Sequence, residues 1–154
     1  MAANTPEVFI IDDTDKQTVV KVTGYYNAAT TQNTKIITAN TLYGANTSRP
    51  CILSLGAMEY SSSIANGFVA LQFIGNGSNS NALIAGRAND GAWNRYIPNS
   101  GAFPPTGDIN LFQSGLASGD TFNMVLTFVK ELQGTVWTGN NYGSGAWANT
   151  QYGY

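Results

Sequence analysis

Apolar and polar residues alternate along the segment Thr121–Lys130, and this period of two constrains the fold more than any other feature of the chain. Successive side chains of a β-strand point to opposite faces, so a strand with one buried face shows such alternation. The turn-forming sequence Ser118-Gly119-Asp120 comes directly before the segment. The pattern predicts a strand whose buried face carries Phe122, Met124, Leu126 and Phe128.

Similar short patterns recur along the chain between Gly, Asn, Ser and Pro residues, whereas the helical period is nearly absent. They predict further strands, one of them with a bulge at Gly56-Ala57. These strands are Val8–Ile11 at a sheet edge, Thr18–Thr23, Lys35–Thr38, Cys51–Tyr60, Gly67–Ile74, Asn81–Ala85, Gly91–Tyr96 and Asp108–Phe112. About nine short strands predict an all-β fold, an antiparallel β-sandwich of the jelly-roll type, with a β-barrel as the alternative. Its predicted core comprises Val20, Val22, Leu53, Leu55, Leu71, Phe73, Met124, Leu126 and Phe128.

The distribution of charge divides the chain near its C-terminal end, because no charged residue follows Glu131. The segment after it shows neither strand alternation nor a helical period. We therefore expect an N-terminal arm over 1–6, a β-sandwich domain over 7–132 and a C-terminal arm over 133–154. Aromatic side chains of this arm could pack on a neighbouring molecule or fold back on the sandwich; they are Trp137, Tyr142, Trp147, Tyr152 and Tyr154.

Composition limits the chemistry available to this chain. It contains no histidine, which excludes imidazole bases, serine–histidine nucleophile pairs and histidine-containing metal sites. Charged residues make up 10% of the chain and the net charge is -2, so the basic stripe that a nucleic-acid partner requires is missing. No apolar run approaches the roughly 20 residues of a membrane span, and we expect no membrane partner. We also expect no catalytic residue, metal or cofactor.

Two further features bear on redox state and localisation. Cys51 is the single cysteine, so no internal disulfide can form, and its register with Leu53 and Leu55 predicts a small buried side chain rather than a reactive thiol. The first residues lack the basic and apolar regions of a secretory signal. We therefore expect synthesis in the cytoplasm, with use there or release by another route such as lysis.

One short segment concentrates acidic residues: Asp12, Asp13 and Asp15. Spaced carboxylates in a loop can bind calcium, but they also occur in ordinary solvated turns. The glycine and the glutamate of an EF-hand loop are missing, and Lys16 follows directly. The sequence therefore favours the turn and leaves calcium as the alternative.

Other carboxylates could be imagined as a glycosidase pair, namely Glu59 with Asp90 or Asp108. Such a pair needs carboxyl groups roughly 5–10 Å apart with pKa values suited to their roles. Nothing in the sequence places these residues together, so solvent-facing carboxylates are the expected outcome.

Aromatic residues cluster in a loop-rich stretch around Trp93, Tyr96 and Phe103. On a β-sandwich such rings can form a platform on which sugars stack, with Asn94 and Arg95 supplying hydrogen bonds. The other interpretation is that Trp93 and Tyr96 cover the core or a subunit interface. Packing is the more common role for such rings.

The strand and turn sequences resemble those of small β-sandwich virion proteins of tailed bacteriophages, particularly phages of marine hosts. The resemblance covers roughly residues 17 to 132 and excludes the aromatic C-terminal segment. It rests on a short neutral arm before Thr18–Thr23, on Ile52-Leu-Ser-Leu, on Val69-Ala-Leu-Gln-Phe, on Pro105-Thr-Gly-Asp-Ile-Asn-Leu and on the strand that follows Ser118-Gly-Asp.

The resemblance implies a non-enzymatic capsid decoration (cement) protein. Such proteins lie on the outside of a shell of major capsid protein, often as homotrimers, and carry no catalysis or cofactor. Two hypotheses compete with it. One is a lectin-like module of a phage fibre or spike that binds host glycans through Trp93 and Tyr96, and the other is an enzyme whose activity depends on Asp or Glu residues.

Overall fold

The computed structural model describes residues 2–43, 51–86, 90–99 and 103–132. These residues form nine β-strands and one short 3₁₀-helix. The elements are β1 Glu7–Asp13, β2 Gln17–Tyr25, β3 Thr30–Ile37, the 3₁₀-helix Ala39–Thr41, β4 Cys51–Ser63, β5 Phe68–Ser78, β6 Ser80–Gly86, β7 Asp90–Trp93, β8 Phe103–Leu116 and β9 Thr121–Leu132. Each strand predicted from the sequence overlaps one of these strands, so the strand prediction is confirmed.

The strands form two antiparallel sheets with one hydrophobic core between them. The first sheet has the order β1-β2-β9-β4-β7, and the second has the order β3-β8-β5-β6. The pairs β2–β9, β3–β8, β4–β7 and β5–β6 are therefore nested, as in one long hairpin rolled around the core. This nesting is the jelly-roll arrangement, and the predicted fold class is confirmed. Strand β1 adds a fifth strand to the first sheet.

The residues predicted for the core are the ones that fill it. Each of the nine is at most 2% exposed. The predicted bulge in β4 is also present, because the pairing of β4 with β9 shifts between Leu55 and Ala57. A β-carbon at Gly56 would lie 3.0 Å from Val129 Cγ2, so glycine fits this bulge where a larger residue would crowd the neighbouring strand.

A buried polar network joins the two sheets at one end of the core. The hydroxyl of Tyr26, which follows β2, donates a hydrogen bond of 2.8 Å to Gln113 Oε1 on β8. Gln32 Nε2 donates to the same oxygen at 2.9 Å, and Gln113 Nε2 donates to Thr34 Oγ1 at 3.0 Å. Burial raises the pKa of Tyr26. The neutral phenol therefore remains a hydrogen-bond donor between the sheets.

Residues before β1 are bonded to the connection between β2 and β3. The Asn4 N–H donates to the Tyr25 carbonyl oxygen at 2.7 Å, and Asn4 Oδ1 accepts from the backbone N–H groups of Asn27 and Ala28. Asn4 has a φ of 66°, a conformation that asparagine tolerates better than most residues. These contacts fix where β1 begins.

Candidate interaction surface

Three consecutive apolar residues are exposed on strand β1, at one edge of the five-stranded sheet. Phe9, Ile10 and Ile11 are 49%, 54% and 58% exposed. β1 pairs with β2 on one side, and no described strand pairs with its other side. The strand therefore offers both backbone hydrogen-bonding groups and large apolar side chains to the surroundings.

The register of β1 explains why apolar residues are exposed on both of its faces. Ile10 pairs with the fully buried Val20, so it lies on the core-facing side of the sheet, and its neighbour Phe9 lies on the outer side. The register shifts after Ile10, which makes Ile11 the extra residue of a β-bulge. Among the described strands β1 packs mainly on β2, so Ile10 stays exposed although it points toward the core side.

Strand β9, in the middle of the same sheet, ends in a buried ammonium group. The side chain of Lys130 is fully buried, and its Nζ donates to Asp13 Oδ1 at 2.5 Å. It also donates to the carbonyl oxygens of Thr14 and Tyr43 at 2.5 and 2.9 Å, and lies 5.8 Å from the centroid of the Tyr43 ring. The charge is thereby compensated at a position that water does not reach.

Asp13 is the one acidic residue of its segment that this lysine engages. Burial raises the pKa of the Asp13 carboxyl, but hydrogen bonds from Lys130, from the Tyr43 N–H and from the Thr18 hydroxyl outweigh burial and hold the pKa below its ordinary value. The cation that this carboxylate contacts in the structure is the Lys130 ammonium group. No group of three or more acidic or cysteine side chains that could hold a metal ion occurs in the described ranges.

This ion pair was not predicted from the sequence, although the sequence contains a signal for it. Lys130 lies on the same face of the alternating segment as Leu126 and Phe128, so the period of two already placed it on the buried side. A buried lysine needs a carboxylate or carbonyl partner. The identity of the partner could not be read from the pattern, since Asp13 is far away in the chain.

A second carboxylate lies on the other face of β9, beside the loop that follows β7. The Tyr96 hydroxyl donates a hydrogen bond to Glu131 Oε2. Burial raises the pKa of Glu131, and a hydrogen bond with Ser54 offsets part of this increase. The Asn99 N–H in turn donates to Ser54 Oγ at 2.9 Å. This group of contacts fastens the loop 94–99 to the sheet.

The rings proposed from the sequence as a sugar platform lie at the other edge of this sheet. Trp93 is 39% exposed and pairs with Met58 through β7, whereas Tyr96 is 51% exposed and bonded to Glu131. Asn94 and Arg95 between them are exposed. Among the described residues no ring contact joins Trp93 to Tyr96. The side chain of Phe103 lies outside the described part of the structure.

The three isolated carboxylates fall in two different places. Glu59 and Asp90 line one concavity of about 380 Å³ on the outer face of the first sheet, with Lys21 and Asn123 beside them. Asp108 lies in the second sheet, where it bonds Lys35 Nζ and the Ala39 N–H, each at 2.8 Å. The fold therefore brings Glu59 and Asp90 to a common surface and separates Asp108 from both.

Two sets of sequence predictions fall outside the described residues. These are the aromatic residues Trp137, Tyr142, Trp147, Tyr152 and Tyr154 of the C-terminal arm, and the side chain of Cys51. They stay predictions.

Comparisons with protein families, with curated proteins and with solved structures found no match to this chain. No helix among the described residues is long and apolar enough to cross a membrane.

Proposed function

We propose that this protein is a non-enzymatic structural protein of a virion. It decorates and stabilises the outside of a bacteriophage capsid through contacts with other copies of itself, as a homotrimer, and with a major capsid protein. The protein is made in the host cytoplasm and functions on the assembled particle. It requires no cofactor, nucleic acid or membrane.

The edge of β1, with which no described strand pairs, is the observation that carries this proposal. Large apolar side chains on an unpaired edge strand favour aggregation, and soluble proteins usually cover, charge or shorten such strands. Here Phe9, Ile10 and Ile11 are each about half exposed. A protein that spends its working life bound to a lattice of identical subunits covers such an edge by assembly.

The nature of the side chains supports the same function. A binding surface on a shell needs rigid, complementary faces, and its centre is typically apolar or aromatic rather than charged. The described surface offers further exposed rings at Tyr25 and Tyr43 in addition to Trp93 and Tyr96. With 10% charged residues in the chain, copies repel one another little.

Mass spectrometry of purified phage particles tests the proposal. We expect this chain in the particles at a copy number comparable with that of the major capsid protein, and we expect purified protein to rebind particles that have been stripped of it. Its absence from the particles would contradict the proposal. A variant with Phe9→Ser and Ile11→Ser should lose rebinding, whereas Lys35→Ser, a polar change on the second sheet, should retain it.

A glycan-binding module of a phage fibre is the second candidate, and the exposure of Trp93 and Tyr96 favours it. Exposed aromatic rings can stack on the apolar faces of sugars. In that case the copy number per particle would be far below that of the major capsid protein. Binding on a glycan array would also be lost in Trp93→Ala but not in Phe9→Ser.

A further inference from the structure

We propose that the open edge of β1 is the binding site for the C-terminal arm, residues 133–154, of a neighbouring copy of this chain. The arm adds a sixth strand to the first sheet, beside β1. This inference rests on the proposed self-association and names the contact that produces it.

The edge has the properties of a site for strand addition. When an extended segment joins a sheet edge, backbone hydrogen bonds supply affinity and alternate side chains contact the two faces. On β1 each face carries an exposed apolar side chain, Ile10 on the core-facing side and Phe9 on the outer side. A segment with large apolar residues on both of its faces would cover both.

The C-terminal arm has such residues. Aromatic side chains recur in it at intervals of five, at Trp137, Tyr142, Trp147 and Tyr152. Five is an odd number, so successive aromatic residues lie on opposite faces wherever the segment is extended. The arm therefore matches an edge that is open on both faces.

Charge distinguishes the arm from the other candidate for this edge, a second copy of β1. Two copies of β1 aligned antiparallel about Ile10 would bring Glu7 of one copy close to Asp12 of the other, both on the outer face of the sheet. Like charges that face each other across strands are destabilising. The arm contains no charged residue and avoids this repulsion.

Strand direction favours the arm of a neighbour over the chain's own arm. β1 and β9 are both antiparallel to β2, so they run parallel to each other. A segment that continues from β9 leaves the sheet at the end where Asp13 and Thr14 contact Lys130. To reach its own β1 the chain would have to reverse direction and cross β2, whereas a neighbour requires no reversal.

The length and the stoichiometry also fit. The arm has 22 residues (133 to 154), which span up to about 70 Å when extended, at roughly 3.3 Å per residue. Covering the 7 residues of β1 uses about a third of them. Each copy has one arm and one open edge, and a head-to-tail contact of this kind closes into a ring when the rotation permits.

Disulfide exchange between two variants tests the inference. In a Cys51→Ala background, one variant carries Ile10→Cys and the other carries a cysteine in the arm, at Asn141, Ser144, Ala146 or Asn149 in turn, which spares the aromatic residues. We expect the mixed, oxidised sample to form disulfides between the two variants for at least one arm position. Ala92→Cys, on the exposed edge strand β7, replaces Ile10→Cys as the control and should give none.

The alternatives give different products. A third variant carries both cysteines in one chain. If only this variant formed a disulfide, within the chain, the arm would cover its own edge and the inference would be overturned. The absence of a disulfide at every position would overturn it as well.

Hydrogen exchange of the unmodified protein provides a second readout. Amides of β1 should exchange at least 10-fold more slowly when the protein is associated than when it is diluted, while those of β9 stay unchanged. Equal rates would contradict the inference.

Neither result depends on particles. If the variants exchange arms but the chain is missing from virions, the capsid function fails and the arm contact stands. If the chain is abundant in virions but no disulfide forms, the arm contact fails and the capsid function stands.

Discussion

Strands β1 and β9 belong to the same sheet and both contain several large apolar residues, yet they differ completely in burial. On β9, Leu126 and Phe128 are fully buried between neighbouring strands. On β1, Ile10 faces the same side of the sheet and is 54% exposed. The comparison shows that the position of a strand in the sheet, more than its own composition, determines how much apolar surface it buries.

Truncation of one side chain on each strand should give the largest contrast. Leu126→Ala removes a fully buried side chain from the core, and we expect a loss of about 3–5 kcal/mol in the free energy of unfolding. Ile10→Ala, on the same face at the sheet edge, should cost less than about 1 kcal/mol. Urea unfolding measures both. Equal losses would mean that β1 is as well covered as β9.

Removing each partner of the ion pair should again destabilise the protein to different extents. The side chain of Lys130 on β9 is fully buried, whereas that of Asp13 on β1 retains some exposure. Asp13→Ala leaves a buried ammonium with only carbonyl partners, and we expect a loss of about 3 kcal/mol. Lys130→Met replaces the charge with an apolar chain and leaves a carboxylate that water can reach, so it should cost less. If Lys130→Met proved the more damaging change in urea unfolding, this assignment of burial would be wrong.

The local part of this contrast was predictable from the sequence, and the long-range part was not. Alternation is a property of consecutive residues, so the strands, the Gly56 bulge and the core residues could be placed correctly. The order of strands in the sheets depends on contacts between distant segments. An edge position was predicted for Val8–Ile11. The exposure of Ile10 on the core-facing side was not predicted, because it depends on which strands lie beside and opposite β1.

Predictions of strand boundaries and of neighbouring side chains were wrong where contacts between distant segments decide the structure. β8 begins at Phe103, before the predicted start at Asp108, because Pro105 pairs with Gly75 at an irregular part of the sheet. The pairing of β4 with β7 brought Glu59 and Asp90 to one concavity, which no spacing in the sequence indicated. Side-chain partners across strands follow from strand order, and a single sequence does not reveal that order.

The pH dependence of stability tests how much the Asp13–Lys130 ion pair between β1 and β9 contributes to the free energy of unfolding. The pKa of Asp13 is lowered in the folded protein, so its carboxylate contributes stability above its ordinary value of 3.8, and this contribution is lost as the pH falls through the lowered value. Asp13→Asn should therefore be less stable than the wild type at neutral pH, with a gap that narrows in acid. Urea unfolding from pH 6 to pH 2 measures the gap.

Asp15→Asn is the matched control for this experiment, because Asp15 is exposed and lies two residues away. It removes one negative charge without removing the contact to Lys130. A gap for Asp13→Asn that stayed constant in acid would contradict the ion pair.

The smallest expected effect is on the outer face of β9, and it has the opposite sign. Burial raises the pKa of Glu131 above its ordinary value of 4.5, so the wild type loses stability as the pH rises from that value through the raised one. Glu131→Gln removes this loss and keeps an oxygen that accepts the Tyr96 hydrogen bond. The variant should therefore be more stable than the wild type at pH 7, by less than about 1 kcal/mol, and equal to it near pH 4. Tyr96→Phe, which leaves the carboxylate and removes the hydroxyl, should show no such gain. If Glu131→Gln were less stable than the wild type at pH 7, the Glu131 carboxylate would stabilise the fold. An ionised acid would then stabilise both strand ends, Asp13 on β1 and Glu131 on β9.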